Sequence, residues 1–408
     1  MKNNSSVKMS HGARHAVPLF GQLIANPASQ GMYFVAGFTL KAFEDMFAGL
    51  FSKEEVNTGR QWSFDFAKFI AIVGMVLVHT FIYIWDEDGL EQGFQYRLNN
   101  IYGGVLAAPV FMFAMGVGVA YSRRTDGRTM FLRGIKLFVA GYLLNAVRCL
   151  PQLLLWKAGY GEQHYDWFVE EINLFDILPF AGIAFMLFAL LRWMKASPTV
   201  ILLVGLALSV FGTFVRSIDM GSTALNMLCY PFIGIHVGEI WSSFPLANWF
   251  IFVAAGYWFG KLIRRCNDMD YLFALLVPAT GFIFTVCMIY LTTHETGMFS
   301  DINDDYFYYL TPFDSFVCIM GAILVAGIGH FLMPHEPQVI QQEVKQVSSD
   351  VTRIYLIHWV FVCYLVGGIM DGVFDLYPSN ILLLLVGLAI LVVSAWLAHR
   401  EPFSRIKI

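Results

Sequence analysis

The chain has 408 residues and a formal net charge of −4, and only 14% of its residues are charged. Soluble domains carry about 25% charged residues, whereas 57% of this chain is apolar and its mean hydropathy is +0.61. This composition excludes an ordinary soluble protein. Apolar runs long enough to cross a hydrocarbon core of roughly 30 Å recur along the chain. We therefore predict an all-α, polytopic protein embedded in a lipid bilayer, with no nucleic-acid partner.

The N-terminal residues 1–59 are predicted to form a cytoplasmic segment, followed by a membrane domain over 60–408. We expect no removable signal peptide, because the start MKNNSSVKMSHGARHAV has neither an apolar core nor a cleavage site. Residues 29–51 are apolar but carry three charges. That pattern favours an interfacial or packed cytoplasmic helix over a membrane span.

The apolar runs predict about ten spanning helices. Their predicted bounds are 64–86, 99–122, 130–156, 173–193, 198–216, 244–263, 270–292, 308–332, 351–370 and 380–399. All but four of the 26 Lys and Arg residues fall nearest one face of this arrangement, and such an excess marks the cytoplasmic face. Both termini are then cytoplasmic, and we expect a multi-pass protein of the plasma (inner) membrane. The stretch 217–245 is apolar but broken by Gly and Pro, which is compatible with a re-entrant segment.

The cysteines give no sign of a metal or redox site. The six of them are scattered, with neither a CxxC motif nor metal-ligand spacing. His294 and Glu295 are adjacent but do not form an HExxH motif. We therefore predict no metal.

The first predicted span, FDFAKFIAIVGMVLVHTF, carries Asp65, Lys68 and His79. Eleven helical positions amount to three turns plus about 20°, so Lys68 and His79 share one stripe, about 16 Å apart along the axis. Asp65 lies within about 60° of that stripe. Because ionisable residues in a span usually face a bundle interior or a watery cavity, we predict a cavity that opens to the cytoplasm. The alternatives are an i,i+3 pair of Asp65 with a snorkelling Lys68 and a histidine that only packs.

Asp65-Phe-Ala-Lys68-Phe-Ile-Ala71, with His79 eleven residues after the base, resembles the first helix of the transmembrane acyltransferases. That broad family includes the acyltransferase-3 proteins and the heparan-α-glucosaminide N-acetyltransferase catalytic domains. Weaker resemblances to it are found in 108–124, in Arg133-Gly-Ile-Lys136, in 248–265 and in 348–361.

The chain departs from the family pattern in three places. Lys68 stands where the first helix usually has an arginine, so a bidentate contact becomes a point charge. The Arg-x-x-Arg pair of acyltransferase-3 proteins ends here in Lys136. The heparan-type enzymes place a catalytic histidine in the loop before the second helix, whereas 87–107 contains none. The last difference argues against carrying over the heparan substrate and its catalytic residue.

The resemblance implies transfer of an acyl group, most simply acetyl, from cytoplasmic acetyl-CoA to a hydroxyl or amino group of a carbohydrate or glycolipid. In this reading His79 is the general base, and Asp65 holds Lys68 in place. The cations assigned to the acyl-CoA phosphates are Lys68, Arg123, Arg124, Arg133 and Lys136. Any membrane protein carries cations on its cytoplasmic loops, which is the competing interpretation for the last four.

His358, in IYLIHW, and Asp314, in LTPFDSF, are the predicted contacts to the acceptor. The alternatives are a packing or interhelical role for His358 and a solvated loop for Asp314. A secondary transporter using the same polar path is the main rival to the enzyme, and a non-catalytic membrane protein is the third possibility. The sequence leaves open the acceptor, O- or N-acylation, the acyl length and a homodimeric state.

Overall fold

The computed structural model describes residues 49–84, 93–123, 126–216, 218–237, 240–300 and 308–405. In chain order the helices there are α1 (Trp62–Ile82), α2 (Phe94–Tyr121), α3 (Gly127–Arg148), α4 (Leu150–Lys157), α5 (Gln163–Asn173), α6 (Ile177–Trp193), α7 (Pro198–Val215), α8 (Thr223–Cys229), α9 (Leu246–Ile263), α10 (Met269–Thr293), α11 (Pro312–Leu332), α12 (Gln338–Val373) and α13 (Asn380–His399). Short 3₁₀ turns occupy Gly297–Phe299, Met333–His335 and Phe403–Arg405. Two short strands, β1 (His236–Val237) and β2 (Ile240–Trp241), pair antiparallel.

Nine helical stretches within the described ranges are long and apolar enough to cross a membrane, with α3 and α4 together forming one of them. The shorter apolar helix α6 has 17 residues and corresponds to the fourth predicted span. At 1.5 Å per residue it is about 25 Å long, near the lower limit for a span. Each of the ten predicted spans therefore has a helical counterpart, and the all-α polytopic fold is confirmed. The assignment of the faces to cytoplasm and exterior stays a prediction.

Two segments differ from the sequence-based expectation. The ninth span was predicted to begin at residue 351, but α12 begins at Gln338, inside a stretch predicted as a loop. That extension is amphipathic: it buries Val344 and Val347 and exposes Gln342, Glu343 and Lys345, so hydropathy alone does not detect it. The described part of 217–245 contains α8 and the two strands. The helix predicted over 29–51 lies outside the described residues except for its last three positions.

Helix α1 lies in the middle of the bundle, packed against α2, α11, α12 and α13. Neighbouring helices approach one another closely where glycines meet backbone. A Cβ added at Gly256 of α9 would lie 2.8 Å from the carbonyl carbon of Phe113 of α2, and one at Gly116 of α2 would lie 2.7 Å from the nitrogen of Tyr257 of α9. Because four helices pack around α1, much of its surface faces protein.

Two parts of this bundle are π-helical, Leu98–Ala107 within α2 and Val362–Val373 at the end of α12. Wide turns of this kind are rare and occur often at functional sites. The first packs against α1. The second begins three residues after Trp359, which contacts His79 of α1. Both irregular stretches therefore lie beside the helix that carries the predicted catalytic residues.

Candidate functional site

His79 lies near the C-terminal end of α1, the predicted outer end, and contacts α12. Its Nδ1 is 2.8 Å from Nε2 of His358, and its ring stacks on Trp359 with 4.0 Å between ring centroids. Tyr355 approaches the ring edge-on. The imidazole is half-buried, and its Nε2 has no hydrogen-bond partner among the described residues, yet it is not one of the fully enclosed polar atoms. One ring nitrogen is thus fixed while the other remains accessible.

The hydrogen bonds of His358 determine which nitrogen of His79 carries the proton. His358 Nδ1 is 3.2 Å from the carbonyl oxygen of Ile354, one turn earlier in α12. A carbonyl only accepts, so His358 Nδ1 carries a hydrogen and, in the neutral ring, its Nε2 accepts. The Nδ1–H of His79 must then donate to His358. The lone pair of His79 lies on Nε2, the nitrogen that faces accessible space, as a general base requires.

Behind this pair of rings lies a buried ion pair. Arg148, at the end of α3, is 1% exposed, and its Nη1 donates to Oδ2 of Asp176 over 2.9 Å. The hydroxyl of Tyr355 donates to the same oxygen over 2.7 Å. The guanidinium lies over the Trp359 ring, 4.6 Å from its centroid. Since Trp359 stacks on His79 in turn, the ion pair supports the ring that orients the imidazole.

Glu171, near the end of the outer helix α5, approaches the site from the predicted exterior. One carboxylate oxygen accepts a hydrogen bond from the hydroxyl of Tyr83, which follows His79 by four residues. That hydroxyl is also 3.2 Å from the sulfur of Cys363. Burial raises the pKa of the Glu171 carboxyl to about 7, against the opposing effect of the nearby Arg148 charge. Glu171 therefore exchanges its proton near neutral pH.

Glu171 is expected to make stability depend on pH. Because its pKa is raised from 4.5 in the unfolded chain to about 7, the folded state binds the proton more tightly, and this contribution is present below pH 4.5 and lost as the pH rises towards 7. The neutral variant Glu171→Gln does not titrate, so it does not show this loss of stability with rising pH. Its apparent Tm in detergent, compared with that of the wild type, should improve progressively between about pH 4.5 and pH 7. A constant difference across that range would contradict the assignment.

At the opposite end of α1, Asp65 has a different partner from the one predicted. Arg60 Nε and Nη2 bind its two oxygens over 2.5 and 2.9 Å, and Ser348 of α12 donates to it over 2.6 Å. The Asp65 carboxylate therefore joins the start of α1 to α12 and makes no ion pair with Lys68. The i,i+3 spacing placed the two charges near each other, but the fork of Arg60 offers two parallel hydrogen bonds where Lys68 offers one.

Lys68 makes no hydrogen bond or ion pair within the part of the chain that the structure describes, and its side chain is partly exposed. The opposite charge of Asp65 acts on it most strongly, followed by the like charges of Arg60 and Arg133. Arg133 is exposed on α3, its guanidinium 4.8 Å from the centroid of the Phe185 ring. Arg60 is neutralised by its ion pair with Asp65, so Lys68 and Arg133 are the cations at the predicted cytoplasmic end of α1 that are available to a polyanion.

The remaining predicted cations are less constrained. Lys136, one turn after Arg133, is exposed, and so is Arg123 in the turn after α2. Arg124 lies outside the described residues. Their assignment to the acyl donor stays a prediction.

The polar stripe of α1 is interrupted between Lys68 and His79. Ile72 and Met75 occupy the intervening turns on the same side of the helix and are 0% and 4% exposed. The predicted continuous wet passage is therefore closed in this structure. Residue spacing correctly placed the ends of the stripe, but the two intervening side chains are large and apolar, and neighbouring helices enclose them.

The two predicted acceptor contacts are both enclosed. His358 is 0% exposed, and both of its nitrogens have partners, so its position favours orienting His79 over touching an acceptor. Asp314 forms a capping box with Thr311 at the start of α11 and accepts from the backbone nitrogen of Met298. These bonds favour a structural role for Asp314 and leave the substrate role without support.

Three residues of the site were missed by the sequence-based reasoning, namely Arg148, Asp176 and Glu171. Arg148 offered a usable signal, because a charge inside an apolar run is costly and usually functional. Glu171 stands at the edge of a predicted loop and Asp176 near the start of the fourth predicted span, two positions where a carboxylate looks solvated. Within the described ranges, no group of three or more His, Cys, Asp or Glu side chains could hold a metal ion.

A family model described as heparan-alpha-glucosaminide N-acetyltransferase, catalytic, matches residues 60–294, which is more than half of the chain. The matched region includes His79, Arg148, Glu171 and Asp176, whereas His358 lies beyond it. No curated protein and no solved structure matches the chain.

Proposed function

We propose, from the premise that the chain belongs to the heparan-alpha-glucosaminide N-acetyltransferase catalytic family, that this membrane acetyltransferase transfers acetyl from cytoplasmic acetyl-CoA to a carbohydrate hydroxyl or amino group. The plasma membrane is the proposed location, with both termini in the cytoplasm. The observation that carries the proposal is the His79–His358 pair, which leaves the lone pair of His79 Nε2 accessible inside the bundle.

Besides side chains of the protein, the proposed step needs only the donor and the acceptor. His79 Nε2 takes the proton from the acceptor O–H or N–H while the oxygen or nitrogen attacks the thioester carbonyl carbon. The new C–O or C–N bond forms, the C–S bond breaks, and the protonated imidazole returns its proton to the departing thiolate. His358 accepts from His79 Nδ1–H throughout and stabilises the imidazolium, as the third member of a triad does.

Donor binding is assigned to the cations at the cytoplasmic end. Lys68 has no hydrogen-bond or ion-pair partner among the described residues, and the positive charge of Arg133 acts on it, so the phosphates of acetyl-CoA would offset the repulsion between these two cations. Lys136 and Arg123, both exposed, are assigned to the same role, and Arg124, outside the described residues, is assigned to it from the sequence alone. The thioester end of the donor must reach His79 about 16 Å away, past the closed turn at Ile72 and Met75. Donor binding therefore requires these two side chains to move apart.

Lys68→Ala and Arg133→Ala are each expected to weaken acetyl-CoA binding about ten- to hundredfold, because a hydrogen bond to a charged group contributes about 1.5–3 kcal/mol. Equilibrium binding of labelled acetyl-CoA to detergent-purified protein measures the effect. Arg405→Ala is the matched control, since this exposed cation pairs with Glu401 near the C-terminus, and its affinity should match that of the wild type. Equal affinities for all four proteins would contradict the donor assignment.

If the chain is a transporter instead of an enzyme, a different experimental result is expected. The proposal would be overturned by a protein that neither binds nor cleaves acetyl-CoA and whose proteoliposomes take up a solute without consuming acetyl-CoA. Release of free CoA that depends on an added sugar would support it.

A further inference from the structure

Several polar atoms on the outer side of His79 are buried without a hydrogen-bond partner. They are Nε and Nη2 of Arg148, Oε2 of Glu171 and Nε1 of Trp359. Each unsatisfied buried group costs about 1–3 kcal/mol, and native proteins leave few of them. The indole N–H of Trp359 interacts with the Tyr355 hydroxyl, but for the three atoms of Arg148 and Glu171 the described contacts supply no explanation.

These atoms belong to one cluster beside the catalytic pair. Arg148 lies over the ring of Trp359, and the same ring stacks on His79. Glu171 interacts electrostatically with Arg148, although the two side chains form no ion pair, and its other oxygen is held by Tyr83. The unused hydrogen-bonding capacity is therefore concentrated next to the imidazole and within the outer half of the bundle.

We propose that Arg148, Glu171 and Trp359 form the acceptor subsite, and that it binds a saccharide presenting a hydroxyl or ammonium group beside a second hydroxyl. This assignment rests on the proposed function. The nitrogen atoms of Arg148 and Trp359 only donate hydrogen bonds, whereas Glu171 Oε2 accepts when the carboxyl is ionised and donates when it is protonated. Neighbouring sugar hydroxyls both donate and accept, so they match the cluster. An apolar acceptor would leave it unsatisfied.

The outer helix α5 closes this subsite. It lies outside the membrane-spanning helices and carries Glu171 at one end and the buried His164 at the other. His164 is held to α4 through Gln152, with 2.7 Å between Nδ1 and Oε1. Because the unpartnered atoms are enclosed, a saccharide reaches them only when α5 moves away from α3 and α4. The acceptor then enters from the face opposite to the cationic cluster around Lys68.

Steady-state kinetics of the full chain in detergent tests the subsite with two probes, D-glucosamine and methyl α-D-glucopyranoside. Glu171→Gln, which removes the charge and keeps the shape, should raise the KM for glucosamine about tenfold, equivalent to about 1.4 kcal/mol, and affect the methyl glucoside less. Trp359→Phe keeps the ring that stacks on His79 and should raise the KM for both sugars. Acetyl-CoA affinity should be unchanged in both variants.

Asp166→Asn is the matched control, since it removes one charge from an exposed position of the same helix, and it should leave both KM values unchanged. Unaltered KM values for Glu171→Gln and Trp359→Phe would overturn the subsite. So would equilibrium measurements in which neither sugar binds the wild type, or in which both bind the variants equally well. Failure of the proposed function has a separate signature, namely wild-type protein that does not bind or cleave acetyl-CoA.

Discussion

His79→Ala lowers the rate of acetyl transfer about 10²–10⁴-fold, the range that a positioned general base contributes, and leaves the affinity for acetyl-CoA unchanged. The reason is the tautomer enforced by His358, which places the lone pair of His79 on its accessible nitrogen. Transfer of labelled acetyl to a sugar measures the rate, and equilibrium binding measures the affinity. The exposed His335→Ala is the control and should keep both at wild-type values.

His358 acts through His79, so its replacement has a different expected signature. His358→Ala removes the acceptor for His79 Nδ1–H and frees the ring to adopt the other tautomer, which lowers kcat with little change in the KM for either substrate. His358→Gln restores an acceptor at the end of the side chain and should recover part of the rate. A purely structural role would instead lower the amount of folded protein and give no rescue by Gln.

Retention of transfer in His79→Ala with an unchanged pH–rate profile would contradict the assignment of the base. A combined loss of acetyl-CoA binding and transfer would indicate that His79 holds the donor instead. This last outcome and the expected one differ in the binding measurement alone, so each variant requires both assays.

The helices could be predicted from the sequence because the signal for them is local. An apolar run long enough to span a bilayer must form a helix there, since no water is present to bind its backbone groups. The N-terminal extension of α12 was missed because it is not a continuous apolar run. Its buried Val344 and Val347 alternate with polar residues, so the run is amphipathic and its mean hydropathy is low.

The candidate site could be predicted only in part, because its contacts are not local. Helical spacing alone placed Lys68 and His79 on one stripe, but it did not show that Ile72 and Met75 close that stripe. The partner of His79 is His358, 279 positions away, and the partner of Arg148 is Asp176, 28 positions away. Such pairings depend on which helices pack together, and a single sequence does not encode that in any periodicity.

Asp176→Ala is expected to be the most destabilising substitution at the site. Asp176 accepts from Arg148 and Tyr355 and also caps α6 through the backbone nitrogen of Ile177. Removing one partner of a buried ion pair leaves an uncompensated charge and costs about 3–5 kcal/mol, and the lost cap adds about 1 kcal/mol. Asp176→Asn keeps an acceptor for the cap and for Tyr355, so its loss of stability should be smaller than that of the alanine variant.

Glu401→Ala provides the comparison on the surface, since the Arg405–Glu401 pair has side chains that are 75% and 64% exposed. Exposed ion pairs contribute about 0–1 kcal/mol, so this variant should unfold at nearly the wild-type temperature. Thermal unfolding in detergent ranks the three variants, with Asp176→Ala lowest. Similar apparent Tm values for Asp176→Ala and Glu401→Ala would mean that Arg148 finds another partner. The guanidinium would then not depend on Asp176 to stay beneath Trp359, and the support inferred for the imidazole would have to come from α12 alone.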